Sequence, residues 1–204
     1  LGALATGVAH EVSTPLGVIL ARAEELARRA PDDRGRRAAE LIVAECGRID
    51  HVVRGLLGLA RGGTPDLARA APSRLVREAG ERVSHRFAKA GVELRLEAPP
   101  ELPDVACDPL LFEQVLVNLL LNACDACEPG GRVELAASTA DGVVRFAVVD
   151  DGVGIDPDAA ARAREPFFTT KPEGTGLGLA IAAEIVEHHR GRLTIAPREG
   201  ERGT

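Results

Sequence analysis

The first sixty residues repeat an apolar side chain at every third or fourth position, with one interruption at Pro31-Asp-Asp-Arg-Gly35. Before the break the repeat runs Leu4, Val8, Val12, Leu16, Ile19, Ala23, Leu26. After it the seam is Ile42, Ile49, Val52, Leu56 and Leu59, with Glu45 as its polar member. That period is helical and predicts one helix over residues 1–30 and a second from about Arg36 to Ala60. A short turn between two long helices folds them back antiparallel as a hairpin. One hairpin cannot bury both apolar stripes. Two hairpins from two chains can, as a four-helix bundle, so the sequence predicts a homodimer through residues 1–61. The alternative cover for the seam is the remainder of the same chain.

Within the first helix, Ala9-His-Glu-Val-Ser-Thr-Pro-Leu16 puts an imidazole, a carboxylate and a hydroxyl inside five residues. His10 and Thr14 fall one helical turn apart, and Glu11 and Thr14 are also neighbours. Pro15 has no N–H to give the Glu11 carbonyl, so a bend is expected there. By itself such a turn reads equally as a solvated helix face. His51 is the rival imidazole, but it flanks the seam between Ile49 and Val52. His85, His188 and His189 read as surface residues.

Arg61-Gly-Gly-Thr-Pro-Asp66 is rich in helix breakers and marks a linker at 62–66. Beyond it, residues 67–204 mix element types. A helix from about Ser73 to Ala90 precedes a strand at Val92–Glu97 and a short one around Val105-Ala-Cys107. Asp108 then caps a helix reaching about Cys127. Arg132–Ser138 and Val143–Val149 form a hairpin about Ala140-Asp-Gly142. A loop is expected from Asp156 to Gly174, then a helix from about Gly176 to His189, a further strand at Arg192–Ala196 and a turn at Gly203-Thr204, with the last, edge strand of the sheet expected to be missing from this sequence. This order predicts an α+β sandwich with helices on one face of a sheet.

Three stretches in this half suit a ligand. Asn118 and Asn122 lie one turn apart amid Val115, Leu116, Leu119, Leu120 and Leu121. Buried amides need partners, and a hydrated divalent cation with phosphate oxygens would serve, as would internal hydrogen bonds. Val148-Val-Asp-Asp-Gly-Val-Gly-Ile155 ends a strand on a carboxylate followed by two glycines. Asp150 could accept from an exocyclic amine while Gly152 and Gly154 admit a ligand to the backbone; an ordinary Asp-Gly turn has the same pattern. Gly174-Thr-Gly-Leu-Gly-Leu179 leads into a helix, and glycine N–H groups at a helix N-terminus favour anions. It lacks the endings of a P-loop or a dinucleotide fingerprint. Glu165-Pro-Phe-Phe-Thr-Thr-Lys171 precedes it with an apolar pair and a cation that could close over a polyphosphate.

Composition narrows the classes. With 204 residues the chain can hold two small domains, and a formal net charge of −6 argues against nucleic acid as a partner. No apolar run approaches the roughly 20 residues that span a bilayer. With no initial methionine and no signal-peptide pattern, the chain is expected to be a piece of a longer protein, expected in the cytoplasm, with any membrane attachment through segments outside it. Four cysteines in apolar stretches suggest a reducing compartment. Cys124 and Cys127 read as core packing rather than as a metal or redox pair.

The order and spacing of these motifs resemble the transmitter region of two-component sensor histidine kinases along nearly the whole chain. Ala9-His-Glu-Val-Ser-Thr-Pro-Leu16 is similar to the phosphoacceptor box and Asn118-Leu-Leu-Leu-Asn-Ala123 to the asparagine box. Asp150-Asp-Gly-Val-Gly-Ile155 is similar to the first glycine box, Glu165-Pro-Phe-Phe168 to the phenylalanine box and Gly174-Thr-Gly-Leu-Gly178 to the second glycine box. The short stretch from Asp156 to Gly174 resembles the nitrogen-regulator-like branch. The resemblance implies a dimerising hairpin at 1–61 joined to an ATP-binding domain at 67–204 of the gyrase and MutL-type superfamily. It implies that His10 takes the γ-phosphoryl group of ATP and that Glu11 orients the ring and accepts its proton. Asn122 with Asn118 would serve Mg²⁺, and Asp150 would bind the adenine amine in a pocket shaped by Gly152 and Gly154. Gly174, Thr175, Gly176, Leu177 and Gly178 would cradle the phosphates beside Lys171. A response-regulator aspartate would then accept the phosphoryl group, with Thr14 placing water for its later removal. Ser13 departs from the family, in which many relatives carry a basic or amide residue there. The rival readings are a gyrase- or MutL-like ATPase clamp, which has no reason to carry the His10 segment, and a nucleotide-responsive dimeric scaffold, against which Asn122, Asp150 and the glycine stretch argue.

Overall fold

A computed structural model gives the fold. It describes residues 2–60, 65–171, 174–198 and 203–204, and among these the side chains of 2–11, 13, 44, 48 and 50–60 lie outside the description. The chain divides into two compact units, Leu1–Gly63 and Thr64–Thr204. Of the expected linker 62–66, residues 62–64 lie outside the described residues, and the Asp66 N–H donates to Asp108 Oδ2 at 3.3 Å.

The first unit is a helical hairpin of α1 (Gly2–Arg29) and α2 (Asp33–Ala60) packed on each other. The turn is set by Asp32, whose Oδ1 accepts from the Gly35 N–H at 2.7 Å. Helix α1 continues through Pro15. Among the described side chains the two helices bury Leu16 and three small residues, Ala23, Ala39 and Cys46. Four other large residues of the repeat stay open: Ile19, Leu26, Ile42 and Ile49 are each more than 40% exposed. Small residues let the two helices meet, and the bulky stripe is left for another surface.

The second unit comprises β1 (Ala68–Ala70), α3 (Pro72–Ala90), β2 (Glu93–Glu97), β3 (Val105–Cys107), α4 (Pro109–Ala126), β4 (Arg132–Ala140), β5 (Val143–Asp150), α5 (Pro157–Arg162) and α6 (Gly178–His188). Strands β2, β4 and β5 form one sheet in that order. Strand β2 runs parallel to β4, and β4 pairs antiparallel with β5 from Val133 opposite Asp150 to Ala140 opposite Val143. The inward positions of β4 alternate as Val133, Leu135 and Ala137, the period of a sheet with one buried face. Against them pack Leu75, Val76, Ala79, Val83 and Phe87 of α3 and Leu116, Leu120, Ala123 and Cys124 of α4. The result is an α+β two-layer sandwich. Helix α4 starts where expected, because Asp108 Oδ1 accepts from the N–H groups of Leu110 and Leu111 and Pro109 takes the first turn.

Four expectations are corrected. Arg192–Ala196 is irregular rather than a strand. Among the described residues no strand pairs along it; Pro197 follows, and the Arg198 N–H donates to the Gly203 carbonyl at 3.2 Å. The loop after Asp156 contains α5, which Asp156 caps through Asp158 and Ala159 with Pro157 in the first turn. Strand β1 was not anticipated; it pairs antiparallel with β3 from Ala68 opposite Cys107, and only that pairing makes so short a run a strand. His189 is half-buried rather than a surface residue. Its Nε2 accepts from the Asp108 N–H at 2.9 Å while Nδ1 faces the Ile185 carbonyl at 2.7 Å. An accepting Nε2 requires the proton on Nδ1, so the neutral ring joins the end of α6 to the start of α4.

Leu120 is completely buried where α4 meets the sheet. Leu120→Ala should lower unfolding stability by about 2–5 kcal/mol, read as an earlier denaturant midpoint at unchanged slope.

Candidate nucleotide site

Helix α4 carries the residues about which the loops gather. Asn118 is 7% exposed, and its Nδ2 donates to the Gly178 carbonyl at 3.3 Å, at the first residue of α6. The asparagine stretch and the second glycine stretch are thus bonded directly. Asn122, one turn on, is half-buried. Its backbone carbonyl accepts from Lys171 Nζ at 3.4 Å. At the end of the helix, the Ala126 carbonyl accepts from the Val153 N–H at 3.1 Å, which brings in the loop after β5.

That loop leaves no room for a side chain at Gly152, where a Cβ would collide with the Ala126 carbonyl. The Gly152 N–H donates to Asp150 Oδ1 at 2.9 Å. Asp150 is 5% exposed. Its carboxyl titrates above the ordinary value, chiefly because burial penalises the anion; the N–H groups of Gly152 and Thr204 pull the other way. The Asp150 N–H in turn donates to the Thr204 carbonyl at 3.1 Å. Gly203 and Thr204 were read only as a terminal turn, yet they stand against Asp150, and Gly203 also adjoins Gly154. A glycine followed by a hydroxyl residue was the available signal. Asp151 points away: its Oδ1 accepts from the Arg132 N–H at 2.7 Å, which holds its carboxyl below the usual range.

On the far side, the Phe167 N–H donates to the Gly176 carbonyl at 2.9 Å. Gly176 has φ +66°, and a Cβ on it would strike the Phe167 backbone. Two separate constraints therefore demand glycine there. The Gly174 N–H donates to the Lys171 carbonyl at 3.0 Å, and Thr175 Oγ1 accepts from the Leu177 N–H at 3.4 Å. The Leu177 side chain is completely buried and packs. Phe168 lies under the Arg162 guanidinium, 4.3 Å from the ring centroid. The Cys127 thiol is pushed up to about 11, by burial first and then by Asp150, so it stays protonated and inert.

The phosphoacceptor candidates divide. His10 and Glu11 lie on α1, but their side chains fall outside the described residues. Thr14 is exposed on α1.

With this geometry in view, the comparisons agree. Residues 1–65 match the His Kinase A (phospho-acceptor) domain, and residues 107–204 match the Histidine kinase-, DNA gyrase B-, and HSP90-like ATPase family. The chain belongs to the two-component sensor histidine kinases, as a transmitter region. It is 38% identical to sensor histidine kinase ZraS of Escherichia coli (strain K12), over 100% of this chain and 44% of that protein. It thus spans less than half the length of that relative. Full-length ShkA in complex with AMPPNP has a similar structure, with TM-score 0.74 and 30% identity over 92% of this chain and 41% of that one. So does histidine kinase ThkA in complex with response regulator protein TrrA, with TM-score 0.69 and 25% identity over 98% and 59%. Among the described residues no helix is long and apolar enough to cross a membrane.

A buried carboxyl with a raised pKa stabilises the fold only while protonated. Relative to Asp150→Asn, the unsubstituted chain should therefore lose stability as pH rises from below 3.8 through the raised value. Urea unfolding of both proteins across that range checks the sign, and Asp150→Asn should bind ATP more weakly despite its greater stability at neutral pH.

Proposed function

We propose that the chain is a protein-histidine kinase that binds Mg-ATP in residues 67–204, phosphorylates His10 in residues 1–61 and passes the phosphoryl group to an aspartate of a response regulator. One observation carries the reading: α4 is in direct contact with all three loop motifs, through Asn118 to Gly178, Ala126 to Val153 and the Asn122 carbonyl to Lys171. Those contacts bring the candidate nucleotide residues together about one helix. The AMPPNP held by ShkA supports a nucleotide there, and the ThkA–TrrA pair supports a receiver domain as partner.

In this reading Asp150 accepts from the adenine amine, and its buried, N–H-tethered carboxylate fixes the base. Gly152 and Gly154 admit the ring to the backbone, with Gly203 and Thr204 behind Asp150. The start of α6, Gly174 to Gly178, faces the phosphates with glycine N–H groups and the positive helix end. Asn122, with Asn118, would hold Mg²⁺. Neutral amide oxygens suit this ion only when phosphate oxygens complete its shell, and the described residues contain no group of three acidic, His or Cys side chains for a metal. The ion's chemistry is charge neutralisation on the phosphates. A ring nitrogen of neutral His10 attacks the γ-phosphorus, the bond to the β–γ bridging oxygen breaks, and ADP leaves with that electron pair. Glu11 takes the proton that the ring sheds.

The exposed Ile19, Leu26, Ile42 and Ile49 support a homodimer through the hairpin. The short segment between Asp156 and Gly174 supports the nitrogen-regulator-like branch. The phospho-acceptor match over 1–65 favours the kinase over an ATPase clamp or a scaffold.

His10→Gln should abolish acid-labile, base-stable labelling from γ-labelled ATP while leaving ATP binding intact; label persisting in that variant would move the acceptor. Thr14→Ala should retain self-labelling and slow dephosphorylation of the partner regulator severalfold, followed as loss of label from the regulator.

A further inference from the structure

Lys171 is the cation that the sequence sets over a polyphosphate, yet in the structure its ammonium already has an anionic partner. Nζ donates to Asp125 Oδ2 at 3.3 Å as well as to the Asn122 carbonyl. The other oxygen of the same carboxylate, Oδ1, accepts from Arg86 Nη2 at 2.8 Å. Arg86 belongs to α3 and Asp125 to α4, so one carboxylate is divided between a guanidinium on the helical layer and an ammonium brought by the loop.

We propose that Asp125 is a positioning residue for Lys171, holding its ammonium against α4 beside Asn122 and competing for it with the phosphates of the nucleotide. This rests on the nucleotide reading of the site. An ammonium is a compact charge with three donors, and a carboxylate and a phosphate are alternative partners for it. The side chains of Lys171 and Asp125 are 38% and 36% exposed, so the pair is weak and can exchange partners readily. Arg86 sets the balance, because it draws on the same carboxylate and loosens its hold on Lys171. The signs follow. Removing the Asp125 charge frees Lys171 and tightens ATP binding. Removing the Arg86 charge leaves the carboxylate to Lys171 alone and weakens it. For an exposed pair each change is about two- to fivefold in Kd, and added salt shrinks it.

The test is calorimetric titration of Mg-ATP, with adenosine as the phosphate-free control, into the full chain and its variants. Asp125→Asn and Asp125→Ser should each lower the Kd for Mg-ATP about two- to fivefold, and Arg86→Gln should raise it by a similar factor. Adenosine affinity should not move, and both effects should vanish on a Lys171→Met background. Unchanged or weaker ATP binding in both Asp125 variants, or an effect that survives Lys171→Met, overturns the competition and leaves the nucleotide site standing. If the unsubstituted chain binds no Mg-ATP, the nucleotide reading itself fails and this inference goes with it.

Discussion

The site depends on a buried amide. Asn118 stands in the apolar face of α4 with almost no solvent, where an unpaired amide is costly. Its bond to the Gly178 carbonyl removes that cost and ties the start of α6 to the middle of α4. His189 ties the end of α6 to the start of α4 through the Asp108 N–H. Two polar contacts thus hold the two helices in register, and packing of Leu177, Ile181 and Ile185 excludes water between α6 and its neighbours. A glycine cradle is useful only if its N–H groups stay put relative to the asparagines, and these two contacts provide that.

Charge in the second unit is arranged by depth. Asp150 is buried at a cost to its ionised form, which the N–H groups of Gly152 and Thr204 offset only in part. Asp151, next in sequence, is exposed and hydrogen-bonded so that its ionised form is favoured. Adjacent side chains on a strand face opposite ways, so one aspartate is spent on the strand pairing and the other is turned inward. The raised Asp150 is the departure from best stability, which is where a binding residue is expected.

The hairpin makes the opposite compromise. Among its described side chains the buried ones are Leu16, Ala23, Ala39 and Cys46, while Ile19, Leu26, Ile42 and Ile49 remain open in one chain. Such a stripe has no stable home in water, which is the physical case for a second hairpin.

Periodicity and capping were enough to read the elements that stand on local rules. The 3.6-residue repeat defines α1 and α2, Asp108-Pro109 starts α4, and the alternation in residues 132–149 defines β4 and β5. The candidate site residues stood out in the sequence too, because glycines grouped at a helix start and amides on an apolar helix are unusual. What the sequence could not determine is whatever depends on a distant partner. Strand β1 exists because β3 lies beside it, and Arg192–Ala196 is irregular where no described strand pairs with it. His189 looks like any polar residue at a helix end until the Asp108 N–H arrives 81 residues away. Asp125 carries no local mark at all, and Gly203-Thr204 only that of a glycine before a hydroxyl residue. Local order follows from short-range torsion and periodicity, which the chain states residue by residue; partners for buried polar groups are chosen only when the layers close, so the tertiary structure alone decides them.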